Sequence, residues 1–119
     1  MHLWIALGML QGAAPAAPAP IDLKCTTTGA SPAVNFAFHV DLANDTFSVT
    51  RNGGAPQAGT AGSFGSRIVL ELPSSNPDAI PMFFINTDTG KFTEIRRAGA
   101  SALTPVSEGT CQKPAASAS

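Results

Sequence analysis

The predicted fold is decided by the stretch VNFAFHVD at residues 34–41, in which apolar side chains occupy alternate positions. An alternation with a period of two is typical of a β-strand with one buried face and one solvated face. Phe47 and Val49 continue this alternation beyond the segment AND at residues 43–45, whose residue types favour a turn. The two runs therefore predict a β-hairpin.

The same period continues along the chain, and no helical period of useful length appears. Residues 67–72 form a strand-like run that Pro73 ends. Residues 80–85 are apolar on both faces apart from Pro81, which indicates a strand covered on both sides. Pro81 has no N–H to donate, so it is expected at the start of its strand or beside an edge. The turn TDTG at residues 87–90, in which Gly90 can take a positive φ, leads into a pairing run at residues 92–95.

These patterns predict an all-β fold, in which an antiparallel meander of six or seven strands forms a small barrel or a strongly bent sheet. Short strands are expected to carry Cys25 and Cys111 at the two ends of the domain. The predicted core consists of alternating apolar residues, namely Val34, Phe36, Phe38, Val40, Phe47, Val49, Ile68, Leu70, Leu72, Met82, Phe84 and Phe92.

Two segments of the chain resemble each other. FHVD at residues 38–41 precedes Phe47 and Arg51, and FFIN at residues 83–86 precedes Phe92 and Arg96 with the same spacing. A duplicated hairpin would give this pattern. Two unrelated hairpins whose similar turns need the same residue types would also give it, and we prefer this second explanation.

Residues 52–66 are too rich in glycine to predict a strand, and a loop of this length is expected to be functional or mobile. Phe64 is the large apolar residue of this segment. It either tethers the loop to the core, as the usual burial of phenylalanine favours, or is exposed for a partner. We assign Gly53, Gly54, Phe64 and Arg67 to a possible partner-binding loop.

The beginning of the chain has the features of a signal peptide. The apolar run LWIALGML at residues 3–10 is too short to span a bilayer but has the length of a signal-peptide core. The segment APA at residues 14–16 offers a cleavage site, although the usual basic n-region is missing. We predict a signal peptide at residues 1–16, an Ala/Pro linker at 17–20, a single β domain at 21–112 and a disordered tail at 113–119.

The two cysteines of the chain, Cys25 and Cys111, bracket the predicted domain. In the oxidising compartment that a signal peptide implies, they are expected to form one disulfide. The segment DLK at residues 22–24 precedes Cys25, where a lipobox requires small and apolar residues, so no stable membrane anchor is expected. The predicted location is periplasmic or extracellular.

The chain carries little charge. Asp, Glu, Lys and Arg make up 13% of the residues, and the formal net charge is −1. A chain without a broad basic field is not expected to bind nucleic acid. The adjacent Arg96 and Arg97 are predicted to be a solvated strand end, because charged pairs usually lie at the surface.

The sequence predicts no catalytic residue, no cofactor site and no metal site. Beyond the predicted signal peptide His39 is the one histidine, and the period of two directs it to solvent. A Ser-His-Asp triad would need His39 as its base, and a zinc site would need further His or Cys ligands. Neither predicted turn supplies the oxygen set of a calcium site. Glu71 and Glu94 are interpreted as ordinary surface carboxylates.

Short motifs give the chain a resemblance to known proteins. Cys25, the segment INTDTGKF at residues 85–92 and the closing GTC at 109–111 resemble a group of uncharacterised small exported bacterial proteins. Those proteins carry an I-D/N-x-x-T-G hairpin and a closing G-T-C, and the resemblance implies an exported β domain without naming an activity. The chain is more distantly similar to periplasmic inhibitors of c-type lysozyme, which are small β-barrels. Their Ser-x-Ser-Gly-type inhibitory segment is not found here, so no inhibitory residue is carried over.

Three functions from different classes are expected. The first is a non-catalytic exported protein that binds a protein or glycan of the cell envelope through residues 52–66 or a sheet edge. The second is an inhibitor of a lysozyme-type hydrolase. The third is an enzyme or a small-ligand carrier. An enzyme would have His39 as its one imidazole base beyond the predicted signal peptide, and a carrier would need a roomy cavity, for which the barrel is expected to be too narrow.

Overall fold

The computed structural model describes residues 19–29, 31–99 and 102–112, which form eight antiparallel strands closed into a barrel. Each strand pairs with the next along the chain, and the last pairs with the first. Within these residues no helix is long and apolar enough to cross a membrane. The strands are β1 Ile21–Thr27, β2 Asn35–Asp41, β3 Thr46–Arg51, β4 Gln57–Phe64, β5 Arg67–Glu71, β6 Ile80–Asn86, β7 Lys91–Ala98 and β8 Ala102–Gln112.

The predicted all-β antiparallel barrel is confirmed, but it has eight strands because the glycine-rich segment contributes one. β4 pairs with β3 and with β5, so the prediction of a loop over residues 52–66 is wrong. Gly59 explains the error. A Cβ at this position would meet the carbonyl oxygen of Glu71 and the ring of Phe47, so close packing requires the glycine that lowers the strand propensity of the segment.

This close packing gives a test of β4. Gly59→Ala should lower the free energy of unfolding by roughly 1–3 kcal/mol, the usual cost of overpacking a core. Gly62→Ala, on the same strand, is the matched control because its Cβ would meet nothing within 4 Å. Urea denaturation of both variants measures the difference. Equal stabilities would show that β4 does not pack against Phe47 and Glu71 as described.

Phenylalanine rings fill the interior of the barrel. Phe83 lies 5.6 Å from Phe36 and 5.1 Å from Phe38 between ring centroids, and Phe92 lies 5.1 Å from Phe36. Because β6 is four strands and β7 three strands from β2 around the barrel, these contacts cross the interior. An eight-stranded barrel is just wide enough for side chains to fill it. The described interior is therefore a packed core.

The predicted core is correct on most strands but inverted on β6. Phe83 and Ile85 point inward and are 2% and 1% exposed, whereas the predicted Phe84 points outward and is half-buried. Met82 also points outward, although its neighbours bury it. The sequence is apolar on both faces of this strand, so its alternation could not decide which face lies inside. Val34 packs against the core but is only partly buried.

The two similar segments form hairpins with the same register. In β2 and β3 the pairs are Phe38 with Val49 and Val40 with Phe47. In β6 and β7 the pairs are Phe83 with Glu94 and Ile85 with Phe92. Each of these residues lies 45 positions after its counterpart in the first hairpin, and the first residues of β2 and β6, Asn35 and Ile80, have the same separation. The strand lengths of β2 and β6 are equal. The hairpins therefore occupy equivalent positions on opposite sides of the barrel.

The predicted disulfide between Cys25 and Cys111 is confirmed, and it lies where the barrel closes. The two cysteines are directly paired in the register of β1 and β8. Cys25 is 1% exposed and belongs to the core. The predicted signal peptide at residues 1–16 and the predicted tail at 113–119 lie outside the described residues.

Candidate functional site

An open groove of about 550 Å³ runs along the outside of the barrel over β5 and β6. Its floor consists of Val69, Met82 and Phe84, which point away from the packed interior. Val69 on β5 pairs with Phe84 on β6, and Met82 lies two residues before Phe84 on the same strand. We name this surface the exterior groove. It is lined by Phe64, Ser66, Arg67, Val69, Met82, Phe84, Asn86, Arg97 and Leu103.

Two exposed apolar side chains flank the exterior groove. Phe64 ends β4 beside the tight turn of Gly65 and Ser66, and it is 72% exposed. Leu103, near the start of β8, is 49% exposed. The expectation that Phe64 tethers its segment to the core is therefore wrong. Because side chains alternate along β4 and Ala61 faces the core, Phe64 three positions later projects from the outer surface of the barrel.

The cationic group of the exterior groove is Arg67. Its guanidinium lies over the ring of Phe84, 5.4 Å from the ring centroid. Among the described residues no carboxylate lies within ion-pair distance of it. Arg97, by contrast, contacts both carboxylate oxygens of Glu71, at 3.3 Å and 3.4 Å. Arg67 thus supplies to a largely apolar surface a positive charge that has no ion-pair partner among the described residues.

The structure separates the four residues of the predicted partner-binding loop. Phe64 and Arg67 lie together at the hairpin between β4 and β5. Gly53 and Gly54 lie in the turn between β3 and β4, at the other end of β4 and therefore roughly 25 Å away. Gly53 takes a positive φ of 74° there, which suits a turn. The two glycines are therefore residues of that turn.

A second polar cluster lies at one open end of the barrel. Glu94 is an inward-facing residue of β7 with a side chain 4% exposed, so its interpretation as a surface carboxylate is wrong. Its Oε2 accepts from Nη2 of Arg51 at 2.8 Å and contacts Nη1 of Arg96 at 3.5 Å. Its Oε1 accepts from the hydroxyl of Ser107 at 2.8 Å. These contacts compensate the buried charge.

The arginine pair predicted as a solvated strand end lies on β7 and divides between two sites. Arg96 points into the barrel beside Glu94, and Arg97 points outward to Glu71. Both side chains are partly buried. Adjacent residues of a strand point to opposite faces of the sheet, so the two arginines contact different carboxylates.

His39 points to solvent, as predicted. Its Nδ1 lies 2.7 Å from Oδ1 of Asp22, and Ser48 stands opposite His39 in the register of β2 and β3. The described contacts hold no hydrogen bond between His39 and Ser48, and the His39 and Asp22 side chains are 55% and 80% exposed. Nucleophilic catalysis needs a preorganised pair of base and nucleophile, so this row of residues carries no catalytic proposal. The register that aligns the three residues could not be read from the sequence.

The fold and the exterior groove define a small up-and-down β-barrel with a filled interior and an open, largely apolar groove on its outside. Comparison with known proteins adds no family to this description. No protein-family model matches the chain, and neither the curated proteins nor the solved structures include a significant match.

Proposed function

We propose that this protein is an exported, non-catalytic protein-binding module and that the exterior groove is its binding surface. The observation that carries the proposal is the pair of exposed apolar side chains, Phe64 and Leu103, on either side of an apolar floor outside a barrel whose core is already filled. An apolar surface of this kind, rimmed by polar residues, is typical of an interaction site.

The residue types of the groove favour a protein as the partner. Interface centres are enriched in aromatic residues, methionine and arginine, and Phe64, Phe84, Met82 and Arg67 supply all three. The groove is open to solvent, which suits an extended segment. A glycan would need a denser set of hydrogen-bonding side chains than the apolar floor of Val69, Met82 and Phe84 offers.

Charge decides the chemistry of that segment. Among the described residues Arg67 has no carboxylate within ion-pair distance, and the smaller hollow beside it is lined by both Lys91 and Glu108, so Arg67 leaves one net positive charge there. A segment with one apolar anchor and a carboxylate would bury the anchor between Phe64 and Leu103. Its carboxylate would then pair with Arg67. The partner that we propose is thus an extended, acidic and apolar segment of another protein.

Two features support an exported location. The disulfide between Cys25 and Cys111 is typical of small domains in oxidising compartments. The apolar run at residues 3–10 and the APA segment behind it have the composition of a signal peptide. The partner is therefore expected among the proteins of the cell envelope or the surrounding medium.

Capture of the tagged, exported protein from the cells that make it, followed by mass spectrometry, tests the proposal. Leu103→Ser should lower the recovery of a stoichiometric partner about tenfold, the usual consequence of truncating an apolar contact in an interface. Val106→Ser is the matched control, because Val106 is 50% exposed on the same strand but does not line the groove. Arg67→Glu should abolish capture by reversing the charge.

The variants separate the groove from other surfaces. Equal loss of the partner in Leu103→Ser and Val106→Ser would place the contact on the strand β8 and not in the groove. A partner retained by Arg67→Glu would reject the acidic segment. An empty capture by the folded, oxidised wild-type protein would reject protein binding itself.

A further inference from the structure

One open end of the barrel carries two arginines around one buried carboxylate. Arg51 on β3 and Arg96 on β7 hold equivalent positions in the two hairpins, and both contact Oε2 of Glu94. Since β3 and β7 are four strands apart, the two side chains reach this oxygen from opposite walls. Two guanidinium groups and one carboxylate leave one net positive charge at this end, which we name the barrel mouth.

Both arginines keep donors that Glu94 does not use. A guanidinium has five N–H groups in a planar fork, and the contacts with Glu94 occupy one nitrogen of each arginine. The side chains are 51% and 39% exposed, so the remaining donors can be reached from solvent. The guanidinium of Arg51 lies over the ring of Phe36, 4.6 Å from its centroid, and this contact orients the fork.

The barrel mouth also holds a cavity of about 200 Å³. This is the volume of roughly seven water molecules at about 30 Å³ each, enough for a short organic molecule. Its polar walls are formed by the two arginines, Glu94 and Gln57, and its apolar side is formed by Phe36, Val49, Leu72, Pro73, Pro81 and Phe83. A ligand that fits these walls has one anionic end and a short apolar body.

We propose that the barrel mouth binds a small aliphatic carboxylate, whose two oxygens bridge Arg51 and Arg96 and whose alkyl chain lies against Leu72, Pro73 and Pro81. A planar carboxylate matches the planar fork of a guanidinium. One negative charge also balances the one net positive charge of the three groups. The mouth opens inside the barrel and the exterior groove lies outside it, so this site is independent of the proposed protein partner.

Titration of the full-length, oxidised protein with butyrate, followed by NMR of the arginine side chains, tests the site. The Nε–H signals of Arg51 and Arg96 should shift saturably, and that of Arg67 should not. Arg96→Met should weaken butyrate binding about tenfold, because one charge-assisted contact is lost. Arg67→Met removes a cation from the outer surface and is the control expected to leave the affinity unchanged.

Glu94→Gln provides the decisive variant. Glutamine keeps the size of glutamate and an acceptor oxygen for the arginines, but it removes the anion that competes with the ligand for their donors. Butyrate should therefore bind at least several-fold more tightly to Glu94→Gln than to the wild type. A cluster that serves only to compensate the buried carboxylate would bind butyrate in Glu94→Gln but not in the wild type, because the donors are free only in the variant.

Four results would overturn the proposal. The first is the absence of saturable shifts at Arg51 and Arg96, and the second is weaker binding to Glu94→Gln when its spectrum shows a folded barrel. The third is equal binding of 1-butanol, which would show that the apolar walls act without the arginines. Inorganic phosphate bound as tightly as butyrate would reject the carboxylate as the ligand class. If Arg96→Met fails to fold, the wild-type and Glu94→Gln titrations decide the outcome.

Discussion

Replacing Cys25 and Cys111 together by alanine should lower the free energy of unfolding by roughly 4–5 kcal/mol. The two residues are 86 positions apart in the chain, and the entropy of closing so long a loop in the unfolded state gives this magnitude. The closure that the disulfide secures is short, since β1 and β8 pair only from Lys24 to Thr27 and from Gly109 to Gln112. Among the described residues β3 and β4 pair at the same number of positions, and the other neighbouring strands pair over longer registers.

Urea denaturation of the double variant beside the oxidised wild type measures this loss. A domain of this size has a total stability of about 5–15 kcal/mol, so the loss removes roughly a third to nearly all of it and should lower the urea midpoint of the variant markedly at 25 °C. Wild-type protein reduced with dithiothreitol is the control and should lose a similar amount. A double variant as stable as the wild type would contradict the account that the disulfide secures the β1–β8 closure.

The second large effect is expected from Phe38→Ala, at about 3–5 kcal/mol of lost stability. Phe38 is 2% exposed and lies within 5.1–6.4 Å of four other phenylalanine rings, measured between centroids. Truncation removes a large buried side chain and leaves a cavity where opposite walls of the barrel meet. The loss of stability is smaller within this range if the walls collapse partly into the cavity, and larger if they do not.

Phe64→Ala is the matched control for this substitution. The same atoms are removed, but Phe64 is 72% exposed and makes no contribution to the filled interior. Its stability should change by less than about 0.5 kcal/mol, as surface substitutions usually do. Thermal and urea unfolding of the two variants give the comparison. Similar losses in both would contradict the assignment of Phe38 to the interior and Phe64 to the outer surface.

Much of the fold could be predicted from the alternation of residues in the sequence. β2 and β3 each bury one face, so a period of two marks them, and the turn before Gly90 carries its own residue signature. The disulfide followed from two cysteines at the ends of the domain. β4 could not be predicted, because Gly59 is required by a contact with strands that are distant in the chain.

Less of the candidate sites could be predicted. Phe64 and Arg67 were identified from a segment interpreted as a loop, but their place beside Met82 and Phe84 depends on strand register. Glu94 was missed because charge usually indicates a surface position. A signal for its burial was present in the sequence, since the similarity of the two hairpins aligns Glu94 with the apolar Val49.

Photo-crosslinking from position 64 tests the central claim most directly. Phe64 is replaced by a benzophenone analogue of phenylalanine in the exported protein, and cells are irradiated before purification. We expect a crosslink from position 64 to one protein, through a segment that combines apolar and acidic residues, and its loss in the Arg67→Glu background. The same analogue at Val106, outside the groove, should give no such product. Equal products from both positions, or a crosslink that persists with Arg67→Glu, would contradict the exterior groove as a protein-binding site.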